Sequence, residues 1–394
     1  MSGERPILIA GGGIGGLALA LALAQRRRAS VVLERQEALS AAGAGIQLGP
    51  NAVRALQGLG LADALQPWAG VPEAVEVRSA AGRHLARLPL GKWIAERHGA
   101  PYWAVHRGDL HRVLAQAAAA EPRIAICNGF DVASVAQSAD AVTVEDGAGR
   151  TASGPVLVGA DGLWSAVRGA VAGQGAPQPV GTTATRSVVP AERAGALPRD
   201  SVGLWLGPEA HVVHYPVRAG AEVAVTVIAR EDWQGRTWDA EADATALRTR
   251  LAPFHVSLRQ ALVPDEGAAH GWRKWALHVL PVLPGWARGR IVLIGDAAHP
   301  VLPFLAQGGA LAIEDAVTLA HCLDASADSG AALAQFHGLR AARARRIQRA
   351  SRRQGSAYRL AAPFSWARDA VLTLAPGHRL MAQLDWLYGW RPPA

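Results

Sequence analysis

Asp296 closes an apolar run, RIVLIGD (290–296), and is followed at once by Ala-Ala-His-Pro. A carboxylate at the end of a buried strand is costly unless something binds it, and ligands of open α/β sheets sit at the carboxyl ends of the strands. A glycine-rich stretch, ILIAGGGIGG (7–16), follows the same logic almost the whole chain away. There Gly11, Gly13 and Gly16 form a GxGxxG between a strand and a helix. The first glycine permits the tight turn, the second lets a diphosphate approach the backbone, and the third lets helix and strand pack closely. The diphosphate would rest at the positive N-terminus of the helix. Glu34 ends the next strand, SVVLE (30–34), where a carboxylate can take the hydroxyls of an adenosine ribose.

Together these features predict a dinucleotide site without separating NAD from FAD. Asp296 makes the separation. The flavin of an extended FAD lies far from its adenosine, so a second contact must come from a distant part of the chain, and a strand-end carboxylate can accept hydrogen bonds from ribityl hydroxyls. A third cluster, HVVHYPV (211–217), places His211 and Tyr215 on one side of a strand and His214 on the other. On residue types alone, the bland account of that pair is cross-strand packing.

These residues need elements to hold them. ILIA (7–10) reads as a buried parallel strand, Ile14–Arg26 as an Ala/Leu helix and SVVLE as the next strand, a βαβ unit. GAGIQLGPNAVRALQGLG (43–60) reads as a loop and a short helix. AVEVRS and RHLARL (within 74–97) read as strands, and HRGDLHRVLAQAAAA (106–120) as a helix. RIAICN, VASVAQ and AVTVED (123–146) suggest an antiparallel meander, and PVLVGADG (155–162) a further buried strand. From about 180 to 280 the texture turns to alternating strands with long Trp-bearing connections. RIVLIGD returns to the parallel sheet before a helix over roughly 307–324 and a helical tail.

The expected fold is α/β: a Rossmann-like dinucleotide domain with a parallel sheet (1–72, 98–179 and 281–326), interleaved with a mostly antiparallel substrate domain (73–97 and 180–280), then a helical region (327–394). With 394 residues the chain exceeds a single core, and 50% hydrophobic with 18% charged residues is the balance of a folded domain.

Three motifs, GGGIGG with Glu34, GADGLWSAVR (159–168) and GDAAHPVLPFLAQGGALAIEDA (295–316), occur in the order found in the single-component FAD-dependent aromatic hydroxylases of the p-hydroxybenzoate hydroxylase fold. With GAGIQLGPNA and HRGDLHRVL, the chain resembles that family over nearly its whole length, and is most similar to its salicylate, 3-hydroxybenzoate and 6-hydroxynicotinate members. The resemblance implies FAD as cofactor, with NAD(P)H, O2 and a small phenolic or hydroxylated N-heteroaromatic ring as substrates. Hydride reduces FAD, O2 adds at flavin C4a, and the resulting hydroperoxide passes oxygen to the ring. It further implies that Gly13, Ile14, Gly15, Glu34 and Arg35 contact adenosine and diphosphate, with Arg107 opening the R-x-D-L helix and Val132 near the adenine. Asp161 is linked to FAD and pyridine nucleotide, Asp296 to ribityl, and Gly308, Gly309 and Ala310 to the flavin through backbone N–H groups. Pro303 and Gln307 would face the substrate, and His211 and Tyr215 would contact its phenol.

Free Tyr titrates near pH 10 and free His near 6.5, so His211 is the expected proton acceptor and Tyr215 the positioner. Gln47, counted with the cofactor side, replaces a His of the 6-hydroxynicotinate members, so decarboxylative chemistry on that pyridine is not implied.

Two rival readings are a flavin halogenase of the same fold and a basic, non-enzymatic FAD scaffold. A halogenase would carry WxWxIP and an active-site Lys; WRKWAL (272–277) does not match, although Lys274 lies inside it. The intact GD region and the His211/Tyr215 pair oppose the scaffold. The Arg-rich segment LRAARARRIQRASRRQ (339–354) reads as a solvated face, so neither nucleic acid nor membrane is expected. No metal is called for. Two distant cysteines, Cys127 and Cys322, fit the reducing cytoplasm, with the protein a monomer or homodimer.

Overall fold

The computed structural model describes residues 5–38, 44–173, 175–195, 197–233, 235, 240–262 and 271–393. Gly43, the first residue of GAGIQLGPNA, and Trp238 in the Trp-bearing connection lie outside them.

Ile7–Ala10 is apolar throughout and buried throughout. It pairs in parallel with Ser30–Glu34 on one side and Leu157–Gly159 on the other. Ile291–Leu293 adds to Leu157–Gly159, Ile124–Asn128 adds to Ser30–Glu34, and the short antiparallel strand Ala287–Arg288 completes a six-stranded sheet. Because the long strands are parallel, their carboxyl ends share one rim. Gly11, Glu34, Asp161 and Asp296 therefore emerge together, although they span most of the chain. The helix Ile14–Gln25 is apolar nearly all round, as a helix covered on every side must be, and it packs against Arg107–Ala120 and Gly308–Ala325.

Residues 123–146 depart from the expected meander. Ile124–Asn128 joins the parallel sheet, and the meander is built from Val132–Gln137, Val142–Asp146 and Thr151–Gly154. A short apolar run reads alike in either setting; the preceding helix, docked on the parallel sheet, delivers this one to its edge. The segment expected as a loop before Pro50 also holds a strand, Gly45–Leu48, paired with Trp103–His106.

The second sheet has eight strands, running in spatial order 240–241, 273–279, 178–190, 222–230, 210–217, 201–206, 74–79 and 84–89. All neighbours are antiparallel except Ser201–Leu206 against Ala74–Ser79. One face is covered by a core that includes Leu247, Leu251, Leu258 and Leu262 from two helices of its own lobe. The other face looks toward the parallel-sheet side.

The Arg-rich tail is solvated on one side, as its sequence suggests, and buried along another. The helix Ser329–Tyr358 buries Leu333, Phe336, Arg340, Ala344, Ile347, Ser351 and Gly355, a stripe at helical spacing that contains an arginine. Arg340 is 1% exposed. Arg345, Arg346, Arg349, Arg352 and Arg353 are exposed, as a solvated face requires, whereas Arg340 and the half-buried Arg343 answer buried acids on Gly308–Ala325.

Candidate active site

The glycine turn is shaped by close approach. Gly11 has φ +106°, and a Cβ there would lie 2.6 Å from the Ala160 carbonyl oxygen; a Cβ on Gly16 would lie 1.9 Å from the Gly11 carbonyl oxygen. At Gly13 a Cβ would meet nothing within 4 Å. Gly13 caps Ile14–Gln25 without a side-chain hydrogen bond, so the first N–H groups of that helix remain for a ligand. Glu34 has a structural task as well: its carboxylate accepts from Gly12 N at 2.7 Å and Gln36 N at 2.9 Å. His111 holds the same loop from the other side, its Nε2 2.7 Å from the Gly12 carbonyl oxygen. Arg35 is exposed just beyond Glu34. Val132 is buried two residues after Phe130, whose N–H donates to the Glu34 carbonyl.

Asp161 and Asp296 come from strands separated in sequence but adjacent in the sheet. Asp161 Oδ2 accepts from Ala166 N at 2.8 Å and Val167 N at 3.2 Å, while Oδ1 is buried without a partner. Arg168 staples the two loops, donating to the Leu163 carbonyl at 2.8 Å and the Ala297 carbonyl at 3.2 Å. Burial pushes the Asp296 carboxyl up, only partly offset by His299 and Arg107.

Behind Asp296 lies a buried ionic network. Asp315 accepts from Gly295 N at 2.9 Å, His299 Nε2 at 2.6 Å and Arg340 Nε at 2.7 Å. Burial works against its charge, but His299 and Arg340 outweigh burial and hold its pKa at about 2. Glu314 accepts from Asn51 and Arg343 at 2.7 Å and lies 2.7 Å from Arg340. Asn51 also donates to Gln307 at 3.0 Å.

Gln307 thus departs from its expected place. It is 1% exposed, and its amide is engaged by Asn51 and the Leu305 carbonyl rather than presented to a substrate. Gly308–Ala325 begins without a side-chain cap, leaving the N–H groups of its first turn, at Gly308, Gly309 and Ala310, for a ligand.

The facing sheet carries the other half. His211 is buried, with ring centroids 5.5 Å from Phe304 and 5.1 Å from Tyr358, and its Nδ1 has no partner. Burial, then Arg359, drives its pKa down to about 3. The expectation of a strong base is therefore corrected: this imidazole stays neutral and offers a lone pair. Tyr215 packs against Gly45, where an added Cβ would lie 2.5 Å from its ring. Burial lifts its pKa to about 12, with Arg186 and Gln47 opposing, so it remains a donor. Gln47 accepts from Tyr102 at 2.8 Å, which places it on the substrate-side network.

Four residues apart on a strand, His211 and Tyr215 stand about 13 Å from one another, so they bracket a ring rather than hold one atom of it. Pro303 opens the short helix Pro303–Leu305, and Phe304 from that helix lines a cleft of about 670 Å³ with Leu302, Arg352 and Arg359. His214 takes the opposite face, accepting from Trp205 Nε1 at 3.1 Å. Lys274 is bound to Glu231 at 2.7 Å, which leaves the halogenase reading without a free lysine there.

The sequence reading missed His111, Asn51, Arg168, Arg186, Glu314, Asp315, Arg340 and Arg343. One signal was present: Glu314-Asp315 interrupts an apolar helix, and buried acids require buried bases.

Residues 4–352 match the model of a family described as "FAD binding domain". The chain is 37% identical to the 3-amino-4-hydroxybenzoate 2-monooxygenase PtnB3 of Streptomyces platensis, covering 99% of this chain and 97% of that protein. It is 34% identical to the 3-hydroxybenzoate 6-hydroxylase of Klebsiella oxytoca, covering 98% and 96%. Among solved structures, HpxO of Klebsiella pneumoniae complexed with FAD and uric acid superposes with a TM-score of 0.88 at 25% identity, covering 98% and 97%.

Proposed function

We propose, since the chain belongs to the FAD binding domain family and is an FAD-dependent aromatic hydroxylase using reduced nicotinamide, that its substrate is a small hydroxylated ring of the hydroxybenzoate, salicylate or hydroxynicotinate kind. The observation that carries this reading is the His211/Tyr215 bracket, buried on the sheet face that meets the Pro303–Leu305 turn following Asp296.

FAD, reduced by NAD(P)H, supplies the oxygen-transfer chemistry when bound. We assign its diphosphate to Gly11, Gly13, Ile14, Gly15 and Gly16, its adenosine side to Glu34, Arg35 and Val132, and its ribityl chain to Asp296 with Arg107 and Asp161 nearby. Its ring is assigned to the N–H groups of Gly308, Gly309 and Ala310, where a helix start favours negative charge. Tyr215 donates to a substrate oxygen, His211 accepts from the ring hydroxyl at the other end, and Pro303 closes the edge. The segments 73–97 and 180–280 form the lobe that keeps water from the ring, and 1–72, 98–179 and 281–326 the lobe that holds FAD.

No described helix is long and apolar enough to cross a membrane, and both cysteines are free. We place the protein in the cytoplasm as a monomer or homodimer. The test is NADH and NADPH consumption with hydroxybenzoates, salicylates and hydroxypyridines, with product mass measured. A mass gain of one oxygen on at least one ring is expected; substrate-independent oxidation across the panel would reject the reading.

A further inference from the structure

The helix Phe364–Leu374 has its polarity reversed. Its two charged residues turn inward: Arg368 donates to Asp369 at 2.7 Å and to the carbonyls of Ala357 and Tyr358 at 3.1 and 3.0 Å, and Arg83 reaches Asp369 at 2.9 Å. Asp369 is buried, while Phe364, Trp366, Val371 and Leu374 are 69, 69, 61 and 83% exposed. At about 100° of turn per residue, these four fall with Ala367 and Ala370 on one arc of less than half the circumference, and no charged side chain lies in it. A helix on the surface of a soluble protein ordinarily shows the opposite arrangement. An uncharged apolar face this exposed marks an interaction surface.

The charge beside that face decides what covers it. Residues 329–394 contain eleven arginines and two acids, Asp369 and Asp385, whereas residues 1–328 contain 29 basic and 30 acidic residues, so the net charge of +8 resides entirely in the last segment. Both of its acids are already paired, Asp369 with Arg368 and Arg83, and Asp385 with Arg97. Arg345, Arg346, Arg349, Arg352, Arg353 and Arg379 are exposed. The bonds from Arg368 to the Ala357 and Tyr358 carbonyls pin the apolar helix to the end of Ser329–Tyr358, within about two turns of Arg352 and Arg353. Apolar face and positive charge are therefore neighbours. A second copy of this chain would bring charge of the same sign to the face. An anionic bilayer offers acyl chains to the one and phosphate groups to the other, and Trp is a residue favoured at the boundary between them.

We propose that Phe364–Leu374 docks this protein on the surface of a membrane that carries anionic lipid, with its apolar arc against the acyl chains and the neighbouring arginines against the headgroups. The arginines alone read as solvated; the face beside them supplies the apolar contact that membrane binding needs. With 11 residues the helix lies along the surface and does not span it. The inference stands apart from the identity of the ring substrate.

The test sediments the FAD-loaded full chain, and its W366S/L374S and R349Q/R353Q variants, with phosphatidylcholine vesicles made with and without phosphatidylglycerol. Both pairs lie outside the residues assigned to FAD and the ring, so flavin content and thermal midpoint serve as controls of folding. The wild type should partition at least about tenfold more strongly onto the phosphatidylglycerol vesicles, and added salt should reduce that excess. Each double variant should lower this partition roughly tenfold. No binding to the anionic vesicles overturns the proposal, as does binding that ignores phosphatidylglycerol or that W366S/L374S leaves unchanged. Self-association in analytical ultracentrifugation that W366S/L374S abolishes, without any vesicle binding, would also overturn it and give the face to a second copy of the chain.

Discussion

The rim of the parallel sheet and the inner face of the antiparallel sheet treat charge differently: both leave some buried polar atoms without a hydrogen bond, Asn51 Oδ1 and Asp161 Oδ1 among them on the rim, but the rim sets acids against arginines. On the rim, Asp315 and Glu314 each meet an arginine at 2.7 Å, and His299, Asn51 and Gln307 are drawn into the same network. On the inner face, His211 Nδ1 and Arg186 Nε are buried without partners. A buried charge set against an opposite charge has few favourable arrangements, so it fixes the loops attached to it. A buried polar atom left unmatched is a standing cost that a ligand can remove. The rim therefore behaves as a frame and the inner face as a receptor.

The largest expected effect comes from breaking the frame. Arg340→Met would strand Asp315 and Glu314 with one cation fewer, at a cost of about 3–5 kcal/mol. Calorimetry of the FAD-loaded protein should show a large fall in Tm, and a midpoint equal to wild type would mean that the network is incidental.

Asp296→Ala should act at the edge of the frame without unfolding it. Removing a charge-assisted acceptor, worth about 1.5–3 kcal/mol, should weaken FAD binding by roughly ten- to a hundredfold. Flavin retention on gel filtration, followed by titration of the apoprotein, reads this directly. Wild-type flavin content would sink the ribityl assignment.

On the receptor side, His211→Ala should leave FAD bound and nicotinamide oxidation running while product falls and H2O2 rises. Loss of one neutral hydrogen bond, about 0.5–1.5 kcal/mol, sets the shift in coupling at up to about tenfold. Tyr215→Phe should be milder because its ring still packs on Gly45. Fully coupled turnover in both variants would return the pair to cross-strand packing.

A separate effect is on pH. His211 and His214 have folded pKa values of about 3 and about 4, below the free value near 6.5. Between these limits the unfolded chain binds protons that the folded chain refuses. Stability is therefore full above about pH 6.5 and falls as pH drops toward 4. His211→Gln should flatten that slope between pH 7 and 5; an unaltered slope would show that burial of His211 is not its source.

Much of the rim was legible because its signals are local. GxGxxG, a strand-ending Glu and a strand-ending Asp each declare themselves within a few residues, since a turn, a helix start and a strand end are short-range objects. Six of the eight strands of the second sheet were equally readable from alternation, as was the opposition of His214 to His211; 240–241 and 273–279 were read as connections. The frame was not, because Asp315 with Arg340 and Glu314 with Arg343 are meaningful only as pairs. Read alone, the arginines looked like solvent-facing charge.

What the sequence determined by itself is most of the longer strands, the dinucleotide turn and the acids that end the parallel strands, because backbone sterics and side-chain period act over a few residues. Tertiary structure alone decided which arginine meets an acid, which is left for a ligand, and whether a histidine is a base or a neutral acceptor. Those outcomes depend on desolvation and on opposite charges brought together from distant segments, and neither has a signature in the local order of residues.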